Sequence, residues 1–270
     1  MTPLPAIEAA PAVEADPALY VVRDEDTTIY LFGTFHILSA NLDWFNGPIE
    51  NAFAGSNELV VETLPVESAD VAPAAAMPGP TTQITPAASF LASTQHAVRA
   101  GGSRGMALAN GADMVLLRAA AVDGKYVEPL ETLQSQSAMI ARIPAEARSR
   151  AACAADACPD SAQDLPAAMT LLQGAWASGD HGLLAAMLNE MRVSSPHAYR
   201  ILFTERNGRW SNWVSARMRQ PGTVFVAVGA AHLVGPDSLL VGLARRGLIS
   251  RRVHDVPRSG PDLAFTGPLD

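Results

Sequence analysis

The chain is short of cysteine and of charge: 270 residues hold two cysteines, and 17% are Asp, Glu, Lys or Arg. It also lacks a long unbroken apolar run. The longest uncharged stretch, between Asp70 and Arg99, is interrupted by Pro73, Pro78, Pro80 and Pro86, so it does not read as a membrane-spanning helix. Residues 1–18 carry prolines and acids but neither the basic start nor the apolar centre of a signal peptide. Basic residues are scattered and the net charge is −8, which excludes a nucleic-acid-binding surface. Cys153 and Cys158 lie in C-A-A-D-A-C-P, which is not a redox C-x-x-C and has too few ligands around it for zinc. They read as ordinary thiols or as a small disulfide closing a helix end. The disulfide is preferred because no other cysteine competes, and it would imply an oxidising compartment. No serine-centred nucleophile elbow, Walker loop or dinucleotide fingerprint occurs. Gly101-Gly102-Ser103-Arg104-Gly105 comes after no strand and reads as a loop.

What is present is apolar content, 49% of residues, sufficient for a sizeable core. Residues 1–17 and 257–270 read as tails around one domain, 18–256. Ala18–Arg23 and Thr27–Phe32 read as a β-hairpin turning at Asp24-Glu25-Asp26. Next come a short helix over Pro48–Ala54 and a strand over Glu58–Glu62. Residues 65–90 are rich in proline and alanine. Thr94 to Ala121 reads as mostly helical with a break at Gly101-Gly102, Tyr126–Leu130 as a strand, and Leu133 to Ala155 as a helix. Leu165–Ala177 and His181–Arg192 form a helical pair, and a further helix runs from Pro196 to Met218. Pro221-Gly222 ends it. A strand over 223–228, a helix over Asp237–Arg246, a stop at Gly247 and a strand over Ile249–Val256 complete the pattern. Strand-rich ends thus flank a helical middle. The predicted fold is α/β (α+β), with a central mixed sheet built from the N- and C-terminal segments and covered by helices.

Two tetrapeptides share the pattern G-x-x-H: Gly33-Thr34-Phe35-His36 and Gly229-Ala230-Ala231-His232. Each comes after a β-prone apolar run, so each histidine is presented just past a strand end, where active-site groups of α/β folds gather. Glu62 and Glu131 also stand at strand ends. Two imidazoles with one or two carboxylates form a plausible hydrolytic metal set, His36, His232 and Glu62 being the candidate ligands. Glu62 or Glu131 could take a proton from bound water. Arg206, in Arg206-Asn207-x-x-Trp210, could bind a carboxylate or an oxyanion. Taken singly, each residue has an ordinary structural explanation, and an isolated helix arginine would usually be a surface residue. His96, His181, His197 and His254 have no repeated context and read as surface or loop histidines.

These motifs occur in an order that resembles the TraB/GumN family, which includes the TIKI Wnt-inactivating proteases. They are Gly33-Thr34-Phe35-His36, the strand to Glu62, Leu130-Glu131-Thr132 with Gln136, Arg206-Asn207-x-x-Trp210, and Val228-Gly229-Ala230-Ala231-His232-Leu233-x-Gly235. The resemblance runs from about Ala18 to Val256. It departs at Pro129, where the family commonly has glycine, and in the proline-rich 65–90 region. It implies a fold related to the erythromycin esterase-like and ChaN-like proteins. It also implies a metal-dependent hydrolase, a peptidase first, that uses manganese, cobalt or zinc. In that reading His36 and His232 hold the metal with Glu62, Glu62 and Glu131 are the acidic partners, and Arg206 and Asn207 line the site. The substrate would be a peptide or a small molecule, and the location periplasmic or secreted. The alternatives are a non-catalytic metal- or haem-binding protein of the ChaN-like type and an interaction module that has lost the site.

Overall fold

The structure is a computed structural model that describes residues 11–64, 100–143 and 161–253. In chain order the strands are β1 (Val13–Glu14), β2 (Leu19–Arg23), β3 (Thr27–Thr34), β4 (Leu38–Ser39), β5 (Leu42–Asp43), β6 (Glu58–Val61), β7 (Met106–Ala107), β8 (Tyr126–Pro129), β9 (Gly222–Gly229) and β10 (Arg251–Val253). The α-helices are α1 (Gly47–Ala54), α2 (Ala112–Asp123), α3 (Leu133–Ala141), α4 (Ser161–Ala177), α5 (Gly182–Ser194), α6 (Pro196–Tyr199), α7 (Glu205–Arg217) and α8 (Leu239–Ala244). Six strands form one mixed sheet in the order β10-β2-β3-β9-β6-β8. The fold is α/β, as the sequence indicates, and both ends of the chain contribute to the sheet.

The pleat explains why this sheet is covered on both faces. In β9, Phe225 and Ala227 join a core with Phe32, Trp44, Phe53, Leu59, Leu116 and Trp176. The alternate residues Val224, Val226 and Val228 join Ile29, Leu31, Val60, Trp210, Val214 and Leu239. A strand apolar at both parities is stable only between two layers. Helices α1, α2 and α4 supply one layer, and α7 and α8 the other.

Strand direction then positions the site. The β2–β3 hairpin is antiparallel, whereas β3, β9, β6 and β8 run parallel. Their C-terminal ends therefore lie side by side. Thr34 pairs with Gly229, and Val61 pairs with both Ala227 and Pro129. Two bonds extend the β6–β8 pairing beyond the strands, from Leu130 N–H to Val61 O and from Glu131 N–H to Glu62 O. Glu62 and Glu131 are thus held as neighbours.

Several segments differ from the sequence reading. Residues 11–17, expected in a tail, include β1, which pairs with β5, and buried Ala15. The Thr94–Ala121 region is divided more deeply than the glycine pair suggested. A turn at Ser103–Gly105, strand β7 and a 3-10 turn over Leu108–Asn110 precede α2. The Pro196–Met218 helix contains a π-helical turn over Arg200–Thr204. The Asp237–Arg246 helix is shorter, at Leu239–Ala244. Residues 65–90, Cys153, Cys158, His96, His254 and the tails 1–10 and 257–270 lie outside the described residues.

Gly111 ties α2 to the first G-x-x-H segment. A Cβ there would lie 2.0 Å from the His36 carbonyl oxygen. The next N–H, of Ala112, bonds Phe35 O at 3.0 Å. Gly111→Ala is therefore expected to lower stability by about 1–3 kcal/mol through overpacking, read as a fall in Tm. An unchanged Tm would show that this approach is not constraining.

Candidate active site

Helix α7 is unusual in what it buries. Its inward face is Arg206, Asn207, Trp210, Ser211 and Val214, a helical stripe in which three of the five residues are polar or charged. A π-helical turn leads directly into it; such turns shift the register of the succeeding helix and recur at functional sites. Arg206 is buried, so its surface-residue reading fails.

The Arg206 guanidinium is the hub of the site. Its Nε donates to Glu131 Oε2 at 3.0 Å, one terminal nitrogen to Glu62 Oε2 at 2.8 Å, and the other to His232 Nε2 at 3.0 Å. Its plane lies over Trp210, 4.5 Å from the ring centre. Arg209 donates to the second oxygen of Glu131 at 2.7 Å. The Gly229 N–H donates to the second oxygen of Glu62 at 2.7 Å. The approach is close: a Cβ at 229 would stand 3.2 Å from Glu62 Oε1.

The bonds around His232 fix its tautomer. Asn207 Nδ2 donates to the Asp237 carbonyl at 2.8 Å, so the amide oxygen is the atom facing His232 Nδ1, 2.7 Å away. Nδ1 therefore carries the proton, and Nε2 presents a lone pair to Arg206. The ring packs between Phe203 and Trp210, with centroids at 5.1 and 4.5 Å. Burial, then the positive charges of Arg206 and His36, push its pKa down to about 3 against the pull of Glu62. Burial raises the Glu62 carboxyl, but His232, Arg206, His36 and the Gly229 N–H together lower it further, to about 2. Glu62 is ionised and His232 neutral at physiological pH.

The two G-x-x-H histidines are not equivalent, contrary to the symmetric presentation their sequences suggest. Gly33 pairs with Val228, one residue out of step with Gly229. After Thr34 the first motif continues irregularly, whereas Ala230–Leu233 forms a 3-10 turn. The His36 side chain is 64% exposed and that of His232 is 5% exposed. The segments nonetheless touch: a Cβ on Gly33 would lie 3.0 Å from Ala230 Cα.

His36 Nδ1 donates to Asp113 Oδ2 at 2.6 Å, and Asp113 sits in the first turn of α2. That bond is the largest cause holding the His36 pKa up to about 9, and Asp113 and Glu62 add attraction against partial desolvation and the Arg206 charge. His36 is thus a cation within electrostatic reach of Glu62 and Arg206. The structure brings together all six sequence-selected residues: His232, Glu62, Glu131, Arg206 and Asn207 in one bonded network, with His36 coupled to it by charge. Sequence reading missed Asp113 and Arg209. An Asp in a helix's first turn ordinarily answers the helix dipole, so Asp113 gives no separate signal. His181 is not a bare surface residue, since its Nδ1 lies 3.3 Å from the Tyr20 hydroxyl.

The family model described as TraB/PrgY/gumN matches residues 18–83 and 75–252. The chain belongs to the TraB/PrgY/gumN family. In this family member the matched segments include every strand of the six-stranded sheet except the last residue of β10, and all six site residues. No curated protein and no solved structure matches the chain.

These protonation states set a stability profile for this TraB/PrgY/gumN chain. His232 and Glu62 have folded pKa values below their unfolded ones. Their contributions are present above about pH 6.5 and 4.5 respectively, and are lost as pH falls toward about 3 and 2. His36 has a raised folded pKa, so its contribution is complete below about pH 6.5 and is lost as pH rises through about 9. Tm measured against pH is expected to peak near neutrality. His232→Asn should flatten the acid limb and His36→Asn the alkaline limb. Limbs of unchanged slope in both variants would contradict these assignments.

Proposed function

We propose that this chain is a hydrolase acting at a carbonyl centre, with a peptide bond as the first substrate class. The observation that carries the reading is the His36–Asp113 pair: a cationic, solvent-reachable imidazole, oriented by a carboxylate and within electrostatic reach of the buried Glu62 and Arg206. Asp113 holds Nδ1, which leaves Nε2 to meet substrate. An imidazolium so held can polarise a carbonyl oxygen or protonate a leaving amine. Glu62, ionised, adds its attraction to that of Asp113 and so helps keep His36 charged. Arg206 and Glu131 keep the Glu62 carboxylate fixed.

A metal-dependent form of the reaction, with manganese, cobalt or zinc on His36, His232 and Glu62, is the second reading. Donor chemistry supports it. So does spacing: His232 Nε2 and Glu62 Oε1 are 3.5 Å apart, close to the ~3.4 Å edge spanned by two ligands at ~2.1 Å from one tetrahedral ion. Availability does not fit. The His232 lone pair and both Glu62 oxygens are already bonded, two of these three acceptors to Arg206. Among the described residues, no group of three or more His, Cys, Asp or Glu side chains is arranged to hold an ion.

The test is cleavage of a peptide library by the purified chain, with and without each divalent ion, read by mass spectrometry. His36→Ala should lower kcat/KM by about 10²- to 10⁴-fold. Activity should fall as pH rises through about 9, and Asp113→Asn should move that fall to lower pH. Wild-type protein that cleaves nothing under either condition, yet takes up metal or haem, would overturn the hydrolase reading in favour of a binding protein.

A further inference from the structure

We propose that Arg206 is the resident cation of this site and competes with divalent transition ions for the same two donors, Glu62 and His232. The argument begins with lone pairs. Because Asn207 holds the His232 Nδ1 proton, Nε2 is the one nitrogen of that ring able to bind a cation, and the Arg206 guanidinium faces it at 3.0 Å. The same guanidinium bonds Glu62 Oε2 at 2.8 Å. An ion joining His232 to Glu62 would need a lone pair that Arg206 now uses, and it would stand beside a fixed positive charge. Arg206 and such an ion are therefore alternative occupants.

A second feature lets the exchange leave Glu131 paired. Glu131 is bonded by Arg206 through one oxygen and by Arg209 through the other, at 3.0 and 2.7 Å. Arg209 is half exposed and comes from the next turn of α7. If Arg206 withdraws, Glu131 keeps a cationic partner, and Glu62 receives the incoming ion. Only the donors under contest change hands. Arg206 thus sets the threshold for metal uptake, and the metal-loaded and arginine-closed forms are distinct states of one site.

The experiment is a Co(II) titration of the full chain, read by visible absorption and equilibrium dialysis, for wild type, Arg206→Ala, Glu131→Gln, and Arg206→Ala combined with His232→Ala. Arg206→Ala should bind Co(II) at least tenfold more tightly than wild type, and the double variant should lose that gain. Millimolar guanidinium ion should weaken Co(II) binding to Arg206→Ala and leave wild type unaffected. Glu131→Gln removes an anchor of Arg206 without touching the contested donors, so it should show a smaller gain of the same sign. It serves should Arg206→Ala fail to fold. Micromolar or tighter Co(II) binding by wild type, abolished by His232→Ala, would overturn the proposal. So would a loss of affinity in Arg206→Ala or Glu131→Gln. These readings involve no turnover, so failure here is separate from failure of the hydrolase reading.

Discussion

The structure depends on one buried guanidinium. Arg206 joins the ends of β6 and β8, through Glu62 and Glu131, to the 3-10 turn after β9, through His232. Two carboxylates brought side by side by parallel strands would repel and would be poorly solvated. A cation between them answers both problems. Deleting one partner of such a buried set costs about 3–5 kcal/mol, whereas an apolar replacement of the whole set can be neutral or stabilising. Packing alone therefore does not explain why α7 turns a polar face inward.

That network also separates the two histidines chemically. His232 lies among aromatic rings with its lone pair committed to Arg206, and stays neutral. His36 lies at the surface, bonded to a carboxylate, and stays charged. The same tetrapeptide pattern yields opposite protonation states because the backbone leaves each glycine differently: along an irregular path that exposes His36 in one case and into a tight 3-10 turn under α7 in the other. The proposed hydrolase reading draws on this divergence of titratable groups.

Much of the fold was legible because strand signals are local. The apolar runs before Gly33 and Gly229, the hairpin at Asp24-Glu25-Asp26 and the acid-ended strand at Glu62 each carry their signal within a few residues. Parallel pairing then placed the four strand-end residues together. Less local features escaped. Asp113 belongs to a helix whose start is set by Gly111 meeting the His36 carbonyl, a contact between segments 75 residues apart in sequence. The π-turn at Arg200–Thr204 is invisible to a 3.6-residue period, yet it leads into the helix that turns Arg206 inward. That one arginine would bond both acids and one imidazole depends on sheet register, which residue identities do not encode. Residue type marks the metal set, whereas the occupancy of its donors depends on contacts that form only in three dimensions.

The most direct test of the Arg206-centred account is ¹⁵N NMR of the histidine rings at pH 5. The account predicts that His232 is neutral there, with its proton on Nδ1 and with Nε2 shifted as a hydrogen-bond acceptor, while His36 is an imidazolium. A His232 ring that is protonated at pH 5, or that carries its proton on Nε2, would contradict it.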